Sequence, residues 1–427
     1  MAKRSKRSPA ADAPPGLVVA VDIGSRKVAC LIGRSDGEGK VVIAGMGTSQ
    51  SDGVRSGTIV DASAASECIA DAVEQAERMV DETIRRVHVS IADPRVGSIS
   101  FDVETAVVLD SVGRRDLDRT LVLAREYLGR MAEMAIVHTV PVSYSLDGIH
   151  GIPNPGGLYG NVLGARFHAV AAHPSATNTI TACLQACHLD IDRYVHAAYA
   201  SGLCCLTTDE LTLGSILIDI GASVTTIAVF AGDKLVHTGF VPLGGMHITN
   251  DIARVVGTPR FHAETIKIEH GQAMLADGVR DEMIDVLRLG DQLEERTSQI
   301  SRRHLSDIIR ARVEEILGRA RDVLAENDLS DLSGRSIVMT GGTSQLGAIT
   351  DLAKSVFGAP VRRGSPGARF LNASVVGDPA LSVAAGTLLY ALGRSSEDQC
   401  VAVANARGER DSKSFTRSIW RWLKENL

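Results

Sequence analysis

Two segments of the chain share one pattern of apolar and polar positions. Residues 17–34 read LVVAVDIGSRKVACLIGR, and residues 214–231 read GSILIDIGASVTTIAVFA. In each segment the pattern predicts two buried strands joined by a tight turn at Asp-Ile-Gly. The aspartates of the two turns, Asp22 and Asp219, lie 197 positions apart. This internal similarity indicates a duplicated domain.

Helical and strand patterns alternate through the rest of the chain. Apolar residues recur at helical spacing from Ser63 to Val80, and either Asp61 or Ser63 can cap the start of this helix. Residues 251–327 have a mostly helical pattern that is rich in Arg and Glu. Further strands are expected at 40–48, 87–93, 135–146, 165–172 and 336–340, and further helices at 116–131 and 175–187. The alternation predicts an α/β protein.

Composition and charge agree with this fold class. The chain has 427 residues, of which 44% are hydrophobic and only 4% aromatic, as suits strands buried between helices. The net charge is −6, yet residues 1–7 and 413–427 are both basic, so the body of the chain is more acidic than the total. We therefore expect no nucleic-acid partner, whereas the basic ends suit lipid phosphates.

Cysteine usage and the length of the apolar runs bear on the compartment. The seven cysteines form no CxxC pair, which is typical of buried thiols in a reducing cytosol. No run of about 18 uncharged apolar residues occurs. We expect neither a signal peptide nor a membrane-spanning helix.

A hairpin with Asp-Ile-Gly at its turn is suited to bind phosphate and a cation. Glycine lets backbone amides approach a phosphate, and the aspartate can face a divalent ion. Asp22 and Asp219 would hold one Mg²⁺ from opposite sides, with water between each carboxylate and the cation. The phosphate-binding residues of the turns would be Gly24, Ser25, Lys27, Gly221, Ser223 and Thr225. Either hairpin taken alone is better explained as an ordinary hairpin with turn-forming Asp and Gly.

Two later features add to this site. Gly341 and Gly342 end a predicted strand, where backbone can approach a purine and its sugar. Glu264 and Lys267 are three residues apart on a predicted helix, share a face, and could grip ribose hydroxyls. Alone, such a pair is usually a solvated surface ion pair. The order of hairpin, hairpin, Gly-Gly, Glu-x-x-Lys and Gly-Gly is specific, and the candidate nucleotide-binding residues also include Gly244, Gly245 and Ser344.

This order of motifs resembles the actin-like ATPase superfamily and, within it, the FtsA family of bacterial cell-division proteins. The resemblance spans about residues 17–427. It rests on VAVDIGSRKV, GVRSGTIVDASAASECIADAVEQAERM, IVHTVPVSYSLDGIHGIPNPGGLYG, AYASGLCCLTTDELTLGSILIDIG, GTPRFHAETIKIEHG, VMTGGTSQLGAI and the tail with both tryptophans. It implies an α/β, actin-like duplicated ATPase fold, with two RNase H-like halves around a cleft for ATP and Mg²⁺.

The resemblance also implies an order of domains along the chain. The expected parts are a disordered basic arm (1–16), a first core subdomain (17–87 and 167–213), an inserted subdomain (88–166), a second core subdomain (214–250 and 331–393), a helical subdomain over the nucleotide (251–330), a linker (394–413) and an amphipathic membrane-targeting helix (414–427).

The second phosphate motif departs from the family pattern. The family commonly has DIGGGTTD, whereas this chain has DIGASVTT, with Ala222 and Ser223 in place of glycines and Thr226 at an acidic position. Threonine cannot act as a base or hold a water as a carboxylate does. ATP binding with at most weak hydrolysis is therefore expected.

The last 14 residues, SFTRSIWRWLKENL, contain both tryptophans of the chain. At about 100° per residue the apolar side chains share one face and the basic ones form its opposite edge, as in a helix that lies on an anionic membrane. Such a helix is too short to span a bilayer. The alternative is a helix docked on its own domain. The expected membrane-contacting residues are Phe415, Arg417, Ile419, Trp420, Arg421, Trp422, Leu423 and Lys424.

The family resemblance implies partners as well. They are the tubulin-like division protein FtsZ, further copies of this chain in filaments, later division proteins and anionic lipid, at the cytoplasmic face of the inner membrane at the division site. Arg302, Arg303 and Arg312 lie near apolar Leu305 and Ile309 in the sequence, a composition suited to an acidic, apolar C-terminal FtsZ peptide. The alternative for this patch is a basic surface helix without a partner.

The alternative function is a soluble actin-fold kinase or phosphotransferase. Such an enzyme needs a catalytic aspartate that faces the acceptor hydroxyl, and no candidate is evident beyond Asp22 and Asp219. A membrane helix would also serve no purpose in a soluble kinase.

Overall fold

The computed structural model describes residues 16–37, 40–130, 134–276, 278, 281–288, 297–327, 329, 335–367, 369–371 and 377–393. The strands are β1 (Val18–Ile23), β2 (Lys27–Ser35), β3 (Val41–Gln50), β4 (Val54–Arg55), β5 (Thr58–Ile59), β6 (Arg86–Ile91), β7 (Val96–Ala106), β8 (Ala135–Leu146), β9 (Ile149–Ile152), β10 (Val162–Ala172), β11 (Asp190–His196), β12 (Ser215–Ile220), β13 (Thr225–Ala231), β14 (Lys234–Val241), β15 (Met283–Leu287), β16 (Thr297–Ser301), β17 (Ser336–Thr340) and β18 (Val361–Arg363). The helices are α1 (Ala62–Val80), α2 (Arg114–Gly129), α3 (Pro174–Ala186), α4 (Ala197–Cys205), α5 (Thr208–Leu213), α6 (Gly245–Val256), α7 (Arg260–His270), α8 (Arg302–Ala325), α9 (Ile349–Phe357) and α10 (Ser382–Leu392).

Two five-stranded sheets repeat one topology. The first has the order β3-β2-β1-β6-β11 and the second the order β14-β13-β12-β17-β18. In each, the first three strands in sequence pair antiparallel, and the two later strands add in parallel. Asp22 is the fifth residue of β1 and Asp219 the fifth residue of β12. The predicted duplication is confirmed.

Helix α1 forms where the sequence predicts it. Asp61 caps its start, because the Asp61 carboxylate accepts hydrogen bonds from the backbone N–H groups of Ser63 and Ala64 at 3.0 and 3.1 Å. The helix ends at Asp81, which adopts the left-handed conformation. Its buried side is the apolar stripe of Ala65, Cys68, Ile69, Ala72, Val73 and Ala76, and the helix packs on β3.

Helix α10 corrects the predicted boundary of the second core subdomain. Residues 331–393 were expected to lie wholly in the second half, but α10 packs on α4, β1 and β2. The helix is apolar around most of its circumference, so that it is buried between these elements. Gly386 brings the two helices close together, since a Cβ there would lie 1.7 Å from the Ala200 carbonyl oxygen.

The inserted subdomain forms a compact unit of its own at Ser98–Pro174. Its sheet has the order β7-β10-β8-β9, and Phe101, Phe167 and Leu128 contribute to its core. The expected range of 88–166 is displaced, because residue 88 lies inside β6 of the first core sheet and residue 166 lies inside β10 of the inserted sheet.

The segment 251–330 is less helical than its pattern predicts. Between α7 and α8, strands β15 and β16 pair antiparallel. Helix α8 buries an apolar stripe in the core beneath the second sheet, composed of Leu305, Ile309, Val313, Ile316, Leu317, Ala320 and Leu324. Among the described residues, none of the helices is long and apolar enough to cross a membrane.

Candidate nucleotide-binding cleft

The two Asp-Ile-Gly turns face one cavity of about 430 Å³ in the core unit. In the first turn the Gly24 N–H donates to the Lys27 carbonyl at 3.1 Å, and in the second the Gly221 N–H donates to the Val224 carbonyl at 2.9 Å. The turns therefore have matching backbone geometry. The predicted residues that line the cavity are Asp22, Gly24, Ser25, Lys27, Asp219, Gly221, Ser223, Gly245, Glu264, Lys267, Gly341 and Gly342.

Each aspartate is held by a serine from a neighbouring element. The Ser90 hydroxyl, at the end of β6, donates to Asp22 Oδ1 at 2.6 Å, and the Ser201 hydroxyl, on α4, donates to Asp219 Oδ2 at 2.5 Å. Burial raises the pKa of the Asp22 carboxyl group, although the hydrogen bond from Ser90 acts to lower it. Burial, with the nearby charge of Asp22, raises the pKa of Asp219 to about 7.

This electrostatic arrangement fits a divalent cation. Asp219 is buried and Asp22 partly buried, and two such carboxylates that repel each other are costly unless a positive charge compensates them. Mg²⁺ prefers oxygen ligands and keeps several waters, so Asp22 and Asp219 suffice as protein contacts. In the described part of the chain, no group of three or more His, Cys, Asp or Glu side chains is placed to hold a metal directly.

Three predicted site residues do not line the cavity: Thr225, Gly244 and Ser344. Thr225 is fully buried and its hydroxyl donates to the Leu243 carbonyl at 2.8 Å. Thr226 lines the cavity instead, because it lies opposite Asp219 in the β12–β13 pair and shares its face. The Ser344 hydroxyl donates to the Gly341 carbonyl at 2.7 Å, and the N–H of Gly244 donates to His247 Nδ1 at 3.1 Å.

Glu264 and Lys267 lie on α7 and face the cavity together. Lys267 Nζ lies 2.7 Å from Glu264 Oε2 and also donates to the Thr249 hydroxyl at 2.9 Å and the Gly245 carbonyl at 3.2 Å. Burial opposes ionisation of Glu264, but the hydrogen bonds from Lys267 and Thr249 hold its pKa below the usual value. Burial lowers the pKa of Lys267, although the hydrogen bond with Glu264 acts to raise it.

Backbone and apolar side chains complete the cavity. Gly341 follows β17 with a φ of +85°, and a Cβ there would lie 2.3 Å from Asp219 Oδ1. The apolar wall was not predicted from the sequence, and it comprises Met246, Ile248, Ile268, Leu346, Pro379 and Val383. Apolar walls with a few polar groups are typical of small-molecule sites and suit the face of a base.

The acidic residues that line the described cavity are Asp22, Asp219 and Glu264. Glu264 is paired with Lys267, and the two aspartates belong to the turns. The additional aspartate that a kinase would require does not appear among the described lining residues.

The arginines predicted to bind a peptide have different surroundings. Arg312 is bound through Nε and Nη2 to the Asp251 carboxylate at 2.5 and 3.0 Å, and Arg302 pairs with Glu282 at 3.0 Å. Arg303 is exposed.

The expectation that these arginines adjoin apolar anchors is wrong. Leu305 and Ile309 are both fully buried in the core. They occupy the inner face of α8, so they offer no surface to a peptide.

The predicted membrane-contacting residues lie outside the described residues: Phe415, Arg417, Ile419, Trp420, Arg421, Trp422, Leu423 and Lys424.

Comparison with known proteins gives two family matches. A family model described as "Cell division protein FtsA" matches residues 216–386, and one described as "SHS2 domain inserted in FTSA" matches residues 94–171. The second match coincides closely with the inserted unit.

Relatives with similar sequences carry the same description. The chain is 36% identical over 422 residues to the cell division protein FtsA of Agrobacterium fabrum strain C58, covering 96% of this chain and 95% of that one. It is 30% identical over 420 residues to the FtsA of Escherichia coli K12, covering 96% of each.

Solved structures show the fold. The chain is similar to a chain of the PilM-PilN type IV pilus biogenesis complex, with a TM-score of 0.62, 17% identity, and coverage of 88% of this chain and 98% of that one. It is also similar to MreB5 of Spiroplasma citri bound to ADP, with a TM-score of 0.52, 13% identity, and coverage of 92% and 99%. The fold is the actin-like ATPase fold.

Proposed function

The chain belongs to the FtsA family of cell division proteins, and on this premise we propose that it is an ATP-binding, self-associating adaptor that tethers the FtsZ ring to the cytoplasmic face of the inner membrane. It also helps to recruit later division proteins at the division site. The observation that carries the proposal is the pair of duplicated hairpins, which direct Asp22 and Asp219 into one cleft.

The proposed ligand of the cleft is ATP with Mg²⁺. The phosphates lie against the turns at Gly24 and Gly221, with Ser25 and Lys27 as further contacts, and the cation is held through water by the two aspartates. Glu264 and Lys267 bind the ribose, and the apolar wall takes the base. The structure of MreB5 of Spiroplasma citri, which has a similar fold, was solved with bound ADP, and this supports an adenine nucleotide as the ligand of the cleft.

A thermal-shift measurement with Asp22→Ala tests the nucleotide proposal. A ligand that binds only the folded state stabilises it by about 2.7 kcal/mol at 100 times its Kd, so millimolar Mg-ATP should raise the Tm of the wild type. Asp22→Ala should lose this shift, while Asp118→Ala, at an exposed aspartate of α2, should keep it. Wild-type protein without a shift, or Asp22→Ala with a full one, refutes the assignment.

Hydrolysis in this cleft is proposed to be weak. Thr226 faces the cavity beside Asp219, where the family commonly has a carboxylate. A hydroxyl does not serve as a general base near neutral pH. Phosphate release by the pure protein should therefore be slow, and fast steady-state turnover would contradict this part of the proposal.

The membrane part of the proposal rests on the sequence of residues 414–427. Basic side chains near anionic lipid contribute about 1 kcal/mol each, and the apolar face adds burial energy before the cost of ordering the helix. One tail then binds reversibly, whereas a filament with many tails stays bound by avidity.

Flotation with anionic liposomes tests the tail. Removal of residues 414–427, or Trp420→Glu with Trp422→Glu, should abolish flotation, whereas Arg421→Gln should only weaken it. A truncated chain that floats as well as the full chain would show that the membrane contact lies elsewhere.

A further inference from the structure

Arg26 makes an ion pair across the cleft. It follows Ser25 in the first turn, and its own carbonyl accepts a hydrogen bond from the Ser51 N–H at 3.0 Å, which fixes the backbone at this point. Its side chain lines the cavity, and Nη1 lies 3.6 Å from Oε1 of Glu264 on α7. A cation of the first hairpin thus contacts a residue of the second half.

Two cations therefore converge on one carboxylate. Lys267 binds Oε2 of Glu264, and Arg26 lies near the other oxygen, Oε1. The charge of Arg26 helps to lower the pKa of Glu264 and also lowers that of Lys267. The cluster has one positive charge in excess, at a place where an anionic ligand would enter.

The two lysines of the cavity leave part of the charge of several phosphates uncompensated, and Arg26 can supply further positive charge. Among the described residues that line the cavity, the cations are Arg26, Lys27 and Lys267. Lys267 already donates to Glu264, Thr249 and the Gly245 carbonyl. That leaves Lys27 and Arg26 to compensate the charge of several phosphates.

We propose that Arg26 is a further nucleotide-binding residue, which exchanges Glu264 for phosphate oxygens when ribose hydroxyls occupy the Glu264 carboxylate. This inference rests on the proposed nucleotide-binding function. The Arg26 side chain is 59% exposed, and ion pairs at this exposure contribute little net stability, so the exchange costs little. A guanidinium group binds phosphate through two parallel charge-assisted hydrogen bonds, which are stronger than an exposed ion pair of this kind. Ser25, one residue away, is itself a proposed phosphate ligand.

A ligand series on the full chain tests this role. Calorimetric titrations with adenosine, AMP, ADP and ATP, each with Mg²⁺, compare the wild type with Arg26→Gln, Arg26→Lys and Arg260→Gln. The last variant is a matched control, since Arg260 begins the same helix as Glu264 but does not line the cavity. Arg26→Gln should weaken ATP and ADP about tenfold and leave adenosine unchanged or slightly tighter, since a competitor for Glu264 is removed.

The remaining outcomes separate this inference from the function on which it rests. Arg26→Lys should lose less ATP affinity than Arg26→Gln, because it keeps the charge without the bidentate geometry. Equal losses of affinity for all four ligands, or no loss for ATP, would overturn the role of Arg26. Binding of ATP by the wild type would still support the proposed function. Wild-type protein that binds none of the four ligands would overturn the proposed function and this inference with it.

Discussion

The Ser223 hydroxyl donates a hydrogen bond to the Ser25 hydroxyl at 2.5 Å, so the two Asp-Ile-Gly hairpins contact each other directly. A phosphate oxygen that accepted from both hydroxyls at about 2.7 Å each would hold them roughly 4.4 Å apart. Entry of a phosphate between them thus requires the two hydroxyl oxygens to separate by about 2 Å. A glycine at position 223, as the FtsA resemblance implies for this motif, would have no hydroxyl to make this contact.

Loss of this hydrogen bond should loosen the nucleotide-free cleft. A neutral hydrogen bond contributes about 1 kcal/mol, so Ser223→Ala should speed amide hydrogen exchange in the second turn about fivefold. Hydrogen-exchange mass spectrometry of the turn peptides measures this. Ser355→Ala, which removes a hydroxyl bonded within α9, should leave the turn unchanged. Equal exchange in wild type and Ser223→Ala would show that the contact does not hold the hairpins together.

Gly341 is needed for two separable reasons. Its φ of +85° disfavours side chains, and a Cβ would lie 2.3 Å from Asp219 Oδ1. Gly358 is a control for positive φ in the left-handed region, with φ +63° and ψ 24° against φ +85° and ψ 161° at Gly341, and nothing lies within 4 Å of a Cβ there. Gly358→Ala should cost about 1 kcal/mol of unfolding free energy.

Gly341→Ala should cost more and should also abolish stabilisation by Mg-ATP, since Asp219 must move. Denaturant unfolding and thermal shift measure the two effects. Equal costs for the two alanines, with the nucleotide effect intact, would contradict the role of the close approach.

The fold and the two turns were predictable because their signals are local. Apolar runs interrupted by Asp-Ile-Gly identify the hairpins, and the spacing between Asp22 and Asp219 identifies the duplication. Ser90 and Ser201 were missed because they lie 68 and 18 positions from the aspartates that they bind. Only the parallel pairing of β6 with β1 and the packing of α4 bring them there.

Two errors have plain physical sources. Thr225 and Thr226 alternate faces, and which one faces the cavity depends on the register of β12 with β13. For α8, the spacing of Leu305 and Ile309 shows an apolar stripe, but one sequence does not distinguish a face that is buried in the chain's own core from one that binds a peptide.

Acid should destabilise the protein through His196. Burial, with the neighbouring His237, lowers the pKa of His196 from 6.5 to about 4. Between these values the unfolded chain binds more protons than the folded one, so stability is lost as the pH falls through this window. The loss from this group amounts to about 3 kcal/mol.

Denaturant unfolding between pH 7 and pH 4 measures the slope. His196→Gln should flatten it, whereas His150→Gln, at an exposed histidine, should not. An unchanged slope in His196→Gln would mean that other groups govern the acid response.

Arg303 and Arg312 should respond differently to charge reversal. Arg312 is bidentate to Asp251 of α6, so Arg312→Glu sets two carboxylates together and should cost about 1 to 3 kcal/mol of unfolding free energy. Weaker peptide binding by that variant would not locate a site. Arg303 is exposed, so Arg303→Glu should keep the wild-type Tm and is the informative change.

For an FtsZ C-terminal peptide bound at the start of α8, Arg303→Glu should weaken the affinity about tenfold, the effect of losing roughly 1.4 kcal/mol of charge-assisted contact. Arg319→Glu is the control, because it reverses an exposed charge far along the same helix. Fluorescence anisotropy with a labelled peptide measures both affinities, and Mg-ATP stabilisation should be unaffected in each variant. Wild-type affinity in Arg303→Glu, or an equal loss in Arg319→Glu, would mean that the peptide binds elsewhere or senses only net charge.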